Sequence, residues 1–198
     1  MDLKGKKVLV FGAGKSGIGA ADLLGSVGAQ PVIYDGNENL DKEAVLHKTN
    51  GTYTPEIWAG AFPEGEMESL DLVVLSPGVP TDLPLVKSFY EKGLPVWSEV
   101  ELAYRTGKGE VLAITGTNGK TTTTALLGKI MGDARESVFV VGNIGTAYTS
   151  KSLEMREDSV TVAEISSFQL ETIEQFRPKV SAILNITEDH LNRHHTME

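Results

Sequence analysis

The sequence contains no cysteine. Disulfides, thiolate nucleophiles and cysteine-held zinc or iron–sulfur centres are therefore excluded, and a reducing, cytoplasmic setting is expected. Long apolar runs are also missing. The first one, Val8–Phe11, is too short for a signal-peptide core, and no stretch approaches the ~20 residues of a membrane span. Nor is there an excess of basic charge. Eighteen Lys and Arg face 27 Asp and Glu, a net charge of −9, so nothing favours a nucleic acid polyanion. A small anion is still admissible, because local backbone N–H groups outweigh a distant net charge. Internal repeats and low-complexity tracts are absent as well.

What remains is an ordinary globular balance, 40% hydrophobic and 23% charged over 198 residues, enough for one large domain or two small ones. Short apolar runs alternate with helical periodicity. Val8–Phe11, Pro31–Tyr34, Leu72–Leu75 and Pro95–Trp97 read as strands, with helices over 18–27, 41–48 and 85–91. A second unit opens near Glu110. It carries strands over 111–115, 138–141, 160–164 and 180–185, and a helix from Lys120 to Met131. Glu99–Arg105 reads as a helix between the units and Thr106–Gly109 as a hinge. The alternation predicts parallel sheets flanked by helices. The expected fold class is α/β: a Rossmann-like parallel-sheet domain over residues 1–97, a linker over 98–109, and an incomplete P-loop ATPase α/β domain over 110–198.

Two glycine-rich turns follow strands and open helices. The second, Gly116-Thr117-Asn118-Gly119-Lys120-Thr121-Thr122, is a shortened form of the phosphate loop G-x-x-x-x-G-K-[ST]. Its glycines let successive N–H groups face phosphate oxygens, Lys120 reaches toward the β/γ-phosphates, and Thr121 offers a hydroxyl to Mg²⁺. The bland alternative is a glycine turn with a solvated lysine. The first, Gly12-Ala13-Gly14-Lys15-Ser16-Gly17, has the G-x-G-x-x-G form, with Asp35 ending the next strand. On residues alone it admits NAD, a UDP-sugar, or tight strand–helix packing with no ligand.

Three further strand ends carry candidate chemistry. Glu164 closes an apolar strand and could hold Mg²⁺, or could be a solvated carboxylate or a helix cap. His190, in Asn185-Ile186-Thr187-Glu188-Asp189-His190, sits where open α/β sheets place ligands, although a lone histidine is more often structural. Asn143, in Gly142-Asn143-Ile144-Gly145, offers both a donor and an acceptor but is equally a turn residue. His47, His194 and His195 read as surface residues.

In order, GTNGKTT, EISSFQLE and NITEDHLNRH resemble the central ATPase domain of the Mur ligases. VLVFGAGKSG, SPGVP and SEVELA resemble the N-terminal region of the D-glutamate-adding branch. The resemblance covers nearly the whole chain. It implies an ATP- and Mg²⁺-dependent amide ligase of peptidoglycan precursor synthesis, joining D-glutamate to UDP-N-acetylmuramoyl-L-alanine through an acyl phosphate. Phosphorylation converts an anionic carboxylate, a poor electrophile, into one with a competent leaving group, and catalysis is then positioning and charge neutralisation.

The same resemblance implies the site roles. Gly116, Thr117, Asn118, Gly119, Lys120, Thr121 and Thr122 hold ATP. Lys120, Glu164 and His190 are catalytic, and Thr121, Glu164 and His190 serve Mg²⁺. Lys15, Ser16, Asp35, Gly36, Asn37, Ser76, Asn143 and Gln169 take the UDP-substrate. Family members also use a carbamylated lysine beyond the DH motif, together with a C-terminal domain. This sequence stops at Glu198 with no strand or helix predicted after Asn185. It is therefore expected to lack turnover, to bind ATP weakly, to keep UDP-substrate binding, and to expose apolar sheet edge. A monomer with no nucleic acid or membrane partner is expected. The rivals are an NAD(P) oxidoreductase, a folylpolyglutamate synthase-like ligase, and a non-catalytic nucleotide-binding module.

Overall fold

The computed structural model describes residues 2–143 and 145–196. Five strands form the first sheet: β1 (Lys7–Phe11), β2 (Gln30–Asp35), β3 (Glu56–Ala59), β4 (Leu72–Leu75) and β5 (Val96–Ser98). All neighbours pair in parallel, in the order β3-β2-β1-β4-β5. The chain direction across the sheet reverses between β1 and β4. The loops after these two strands therefore diverge and leave a crevice at the strands' carboxyl ends.

Alternation along β1 explains why both of its faces are covered. Val8 and Val10 pack with Ala20, Ala21 and Leu24 of α1 (Lys15–Ser26), while Leu9 and Phe11 pack on the other side with Val86 and Phe89 of α3 (Pro84–Glu91). A strand buried on both faces has to be continuously apolar, and Val8-Leu9-Val10 are fully buried. A short helix, α2 (Lys42–Leu46), is capped by Asp41, whose side chain accepts from the Ala44 N–H.

The second sheet contains β6 (Glu110–Thr115), β7 (Val138–Gly142), β8 (Val160–Glu164) and β9 (Val180–Ile183), again parallel, in the order β7-β8-β6-β9. Helix α5 (Lys120–Ala134) follows β6. Edge strand β9 is poorly covered: Val180 and Ile183 are exposed, as are Leu126 and Ile130 on α5. Apolar edge is thus open to water, a hazard for pairing with other chains.

Helix α4 (Glu99–Thr106) joins the two sheets rather than merely spanning between them. Leu102 enters the core of the first sheet, whereas Val100 and Ala103 enter the core of the second, with Val111, Ala163 and Phe176. Its buried Glu101 accepts from the Arg105 guanidinium and from the backbone N–H groups of Glu174, Gln175 and Phe176. Burial alone would raise that carboxyl's pKa. The four donors outweigh burial and hold it below the ordinary value. Arg105 also stacks on Trp97, 4.0 Å from its ring centre.

The segment read as a hinge is packed. Thr106 Oγ1 donates to Leu102 O, and a Cβ on Gly109 would lie 2.3 Å from Ser159 O. The structure differs from the sequence expectation at several places: β3 and a one-turn helix over Ser167–Leu170 were not foreseen, β9 ends at Ile183 rather than at 185, and a one-turn helix, α7 (Leu191–His194), follows Asn185 where no element was expected.

Candidate functional site: two glycine turns at adjoining cavities

Each glycine of the first turn has its own reason. A Cβ on Gly17 would lie 1.8 Å from the Gly12 carbonyl oxygen, and one on Gly12 would lie 2.8 Å from Ser76 Oγ. These two allow α1, β1 and β4 to touch. Gly14 differs, because a Cβ there would meet nothing within 4 Å. It caps α1 without any side-chain hydrogen bond, so the helix N-terminus, with its unsatisfied donors and partial positive charge, faces open space.

Asp35 is already occupied. Its two carboxylate oxygens accept from Ala13 N (3.0 Å) and Asn37 N (3.0 Å), tying the glycine turn to the loop after β2. Ser76 is buried, and its hydroxyl donates to Gly12 O at 3.3 Å. Gly36 and Asn37 are exposed beside Asp35. Lys15 and Ser16 line a cavity of about 130 Å³ together with Pro77, Gly142, Asn143, Gly145, Ala147 and Gln169. Lys15 Nζ reaches across to Gly145 O at 2.5 Å. Gln169 is buried, and both ends of its amide are engaged, Nε2 with Glu99 Oε1 (2.6 Å) and Oε1 with Ser166 N (2.8 Å). It closes the capping box of the short helix α6 (Ser167–Leu170).

The second turn is held from the side by the segment after β9. Asn185 Oδ1 accepts from Asn118 N (2.8 Å), Asn185 Nδ2 donates to Asn118 O (2.9 Å), and Asn185 O accepts from Thr117 N (3.1 Å). Thr117 Oγ1 exchanges hydrogen bonds with the Thr187 backbone. Gly116, at φ +136°, has Asn185 O only 3.0 Å from where a Cβ would stand. Two loop amides are thereby committed. Those of Gly119, Lys120, Thr121 and Thr122 open α5, where no preceding turn can accept from them. Lys120 Nζ lies over the carbonyls of Gly116 (2.7 Å) and Thr117 (3.0 Å). Thr121 and Thr122 are exposed on the first turn of the helix.

Lys120 lines a larger cavity of about 360 Å³, with Asn143, Ser166, Phe168, Asn185 and His190. Asn143 lines both cavities. Glu164 is buried at the end of β8. Its Oε1 accepts from Asn143 Nδ2 (3.3 Å), and its Oε2 is buried without any hydrogen-bond partner. An orphaned, buried carboxylate oxygen suits a cation. Among the described residues, no three His, Asp or Glu side chains converge to hold a metal unaided. An Mg²⁺ here would draw the rest of its oxygen shell from phosphate and water. His190 is exposed in a left-handed conformation, with its ring against Phe168 at 5.0 Å. His194 donates to or accepts from Ser167 Oγ at 2.9 Å, and His195 and His47 are exposed.

Residues 6–98 match the family described as Mur ligase MurD-like, N-terminal domain, and residues 114–198 match the Mur ligase middle domain. This chain belongs to the Mur ligase family. Among curated Mur ligases it is 61% identical over 198 residues to the UDP-N-acetylmuramoylalanine–D-glutamate ligase of Lachnospira eligens, and 47% identical over 199 residues to that of Clostridioides difficile. All of the chain is covered, but it spans only 44% of the length of those relatives. The fold is shared with a solved Neisseria meningitides UDP-N-acetylmuramate:L-alanyl-gamma-D-glutamyl-meso-diaminopimelate ligase. That match has a TM-score of 0.57 at 17% identity, over 96% of this chain and 63% of the other. The Thermotoga maritima UDP-N-acetylmuramate-alanine ligase matches with a TM-score of 0.50 at 25% identity, over 96% and 44%.

Three features in and around the candidate site escaped sequence reasoning: the Asn185 side chain as partner of the loop, the buried pair Glu99 and Glu101, and the engagement of Arg193. All three lie inside motifs already singled out, Asn185 and Arg193 in NITEDHLNRH and the two glutamates in SEVELA. What the motifs do not carry is the partner, since a charged residue on a short helix or near a chain end normally reads as solvated.

Proposed function

We propose that this chain forms the nucleotide-handling part of an ATP-dependent ligase that adds D-glutamate to UDP-N-acetylmuramoyl-L-alanine. The observation that carries the reading is the shared wall. Asn143 lines both cavities, so a ligand at the first turn and one at the second approach each other beside Glu164.

The first turn, with Lys15, Ser16, Gly36, Asn37 and the open N-terminus of α1, receives the uridine diphosphate. Asp35 and Ser76 both brace that turn and keep lone pairs free for the same ligand, and Gln169 adds a fixed polar wall on the substrate side. The second turn, Gly116–Thr122, receives ATP. Bound ATP supplies the phosphoryl group that turns the substrate carboxylate into an acylating agent. Lys120 would neutralise phosphate charge, Thr121 and Glu164 would offer oxygens to Mg²⁺, and His190 would serve a second Mg²⁺ alongside ligands from phosphate and water. The chain's contribution is alignment and charge compensation.

No described helix is long and apolar enough to cross a membrane. The rival reading, an NAD oxidoreductase, leaves the second loop without a role. Parallel calorimetric titrations with UDP, UDP-N-acetylmuramoyl-L-alanine and NADH test the reading. Binding of the two uridine compounds with NADH silent is expected. Tight NADH binding with UDP ignored refutes it.

A further inference from the structure

Arg193 stands on the one-turn helix α7, yet its guanidinium serves the other sheet. Nη1 donates to Pro77 O (3.1 Å), and Nη2 donates to Val79 O (3.2 Å) and to Glu171 Oε2 (2.6 Å). Its side chain is only 14% exposed, and it lies over the Phe168 ring at 4.6 Å. Glu171 Oε2 also accepts from Thr81 Oγ1 at 3.0 Å, which closes the joint from outside.

The two carbonyls flank Gly78 in the tight turn Ser76–Val79, where Val79 N donates to Ser76 O at 2.9 Å. Ser76 in turn contacts Gly12 of the first glycine turn. At its other end, Arg193 donates its own backbone N–H to His190 O at 2.8 Å. Phe168 forms a platform under His190, His194 and Arg193 together.

We infer that Arg193 is a positioning residue. It holds the Ser76–Val79 turn in register with His190, so that occupancy of the first cavity is felt at the histidine. The device requires arginine. A planar fork reaches two carbonyls and a carboxylate at once, whereas lysine offers a single point of charge on a flexible stem. The inference rests on the reading that the first turn takes uridine diphosphate, and the test separates the two.

The test follows amide exchange at Val79 and the imidazole resonances of His190 by NMR in the 198-residue chain, with UDP as the probe. In the unaltered chain, UDP is expected to shift the Ser16 and Val79 amides and the His190 imidazole together. Arg193→Lys is expected to speed Val79 exchange about tenfold and to abolish the UDP response at His190 while preserving it at Ser16. Leu9 and Leu24 amides serve as the folding control. Glu171→Gln, which loosens the same joint from its exposed side, is expected to change both readouts in the same direction by a smaller factor. Val79 exchange unchanged in both variants, or a full His190 response in Arg193→Lys, overturns the inference. If UDP moves nothing in the unaltered chain, the reading of the first turn fails, and Val79 exchange alone then decides the role of Arg193.

Discussion

Glu99 offers a quantitative handle on the joint between the sheets. It is buried at the start of α4. One carboxylate oxygen accepts from Gln169 Nε2, and the other has no partner. Burial pushes its pKa from the ordinary 4.5 to about 7, even though the Gln169 hydrogen bond and nearby backbone N–H groups pull the other way. A carboxyl raised in this way holds its proton more tightly in the folded chain than in the unfolded one. Below about pH 4.5 it is protonated in both states and costs nothing. Between pH 4.5 and 7 stability falls as pH rises, and above 7 the penalty is complete. A shift of about 2.5 units at 1.36 kcal/mol each makes that penalty about 3 kcal/mol.

Glu99→Gln removes the charge and keeps the acceptor for Gln169. It leaves one buried donor unpaired, as the protonated acid also does. Urea unfolding at pH 5.5, 7.0 and 8.5 is the assay. The variant is expected to exceed the parent by about 1.4 kcal/mol at pH 5.5, one unit into the window, and by about 3 kcal/mol at pH 8.5. Glu101 titrates below this window and does not confuse it. Parallel pH curves for the two proteins would refute the reasoning.

Further predictions concern the two turns and the joint. Gly17→Ala puts a Cβ 1.8 Å from Gly12 O, and thermal and urea unfolding are expected to show a loss of about 3 kcal/mol. Asn185→Asp can still accept from Asn118 N but turns a carboxylate oxygen on Asn118 O. Calorimetry should show ATP affinity falling by tenfold or more, with UDP binding unchanged. Glu101→Ala leaves Arg105 Nε and three backbone N–H groups without their acceptor in a buried place, with Arg105 Nη2 keeping Glu174, and is expected to cost about 3 kcal/mol in urea unfolding.

Both glycine turns were legible in the sequence because each sits between a continuous apolar strand and a helix, a local pattern. So was Glu164, at a strand end. What escaped was non-local. β3 is four residues long on a sheet edge, and a segment that short, led by Pro55 and Glu56, has no periodicity to read. Asn185 meets Asn118 only because β9 pairs with β6, 67 residues away in the chain. Asp35 was legible as the residue ending β2, but its two hydrogen bonds to Ala13 N and Asn37 N, which tie the glycine turn to the next loop, were not. The strand expected over 180–185 stops at Ile183: Leu184 N still donates to Thr115 O at the end of β6, and Asn185 is given over to the second loop.

The account stands on two separate diphosphate sites. A crystal of the chain grown with UDP, Mg²⁺ and a non-hydrolysable ATP analogue tests it most directly. The account predicts uridine diphosphate against the N-terminus of α1 beside Lys15 and Ser16, and the analogue's β- and γ-phosphates on the amides of residues 119–122 under Lys120. Uridine in the second loop, or the ATP analogue in the first, would contradict it.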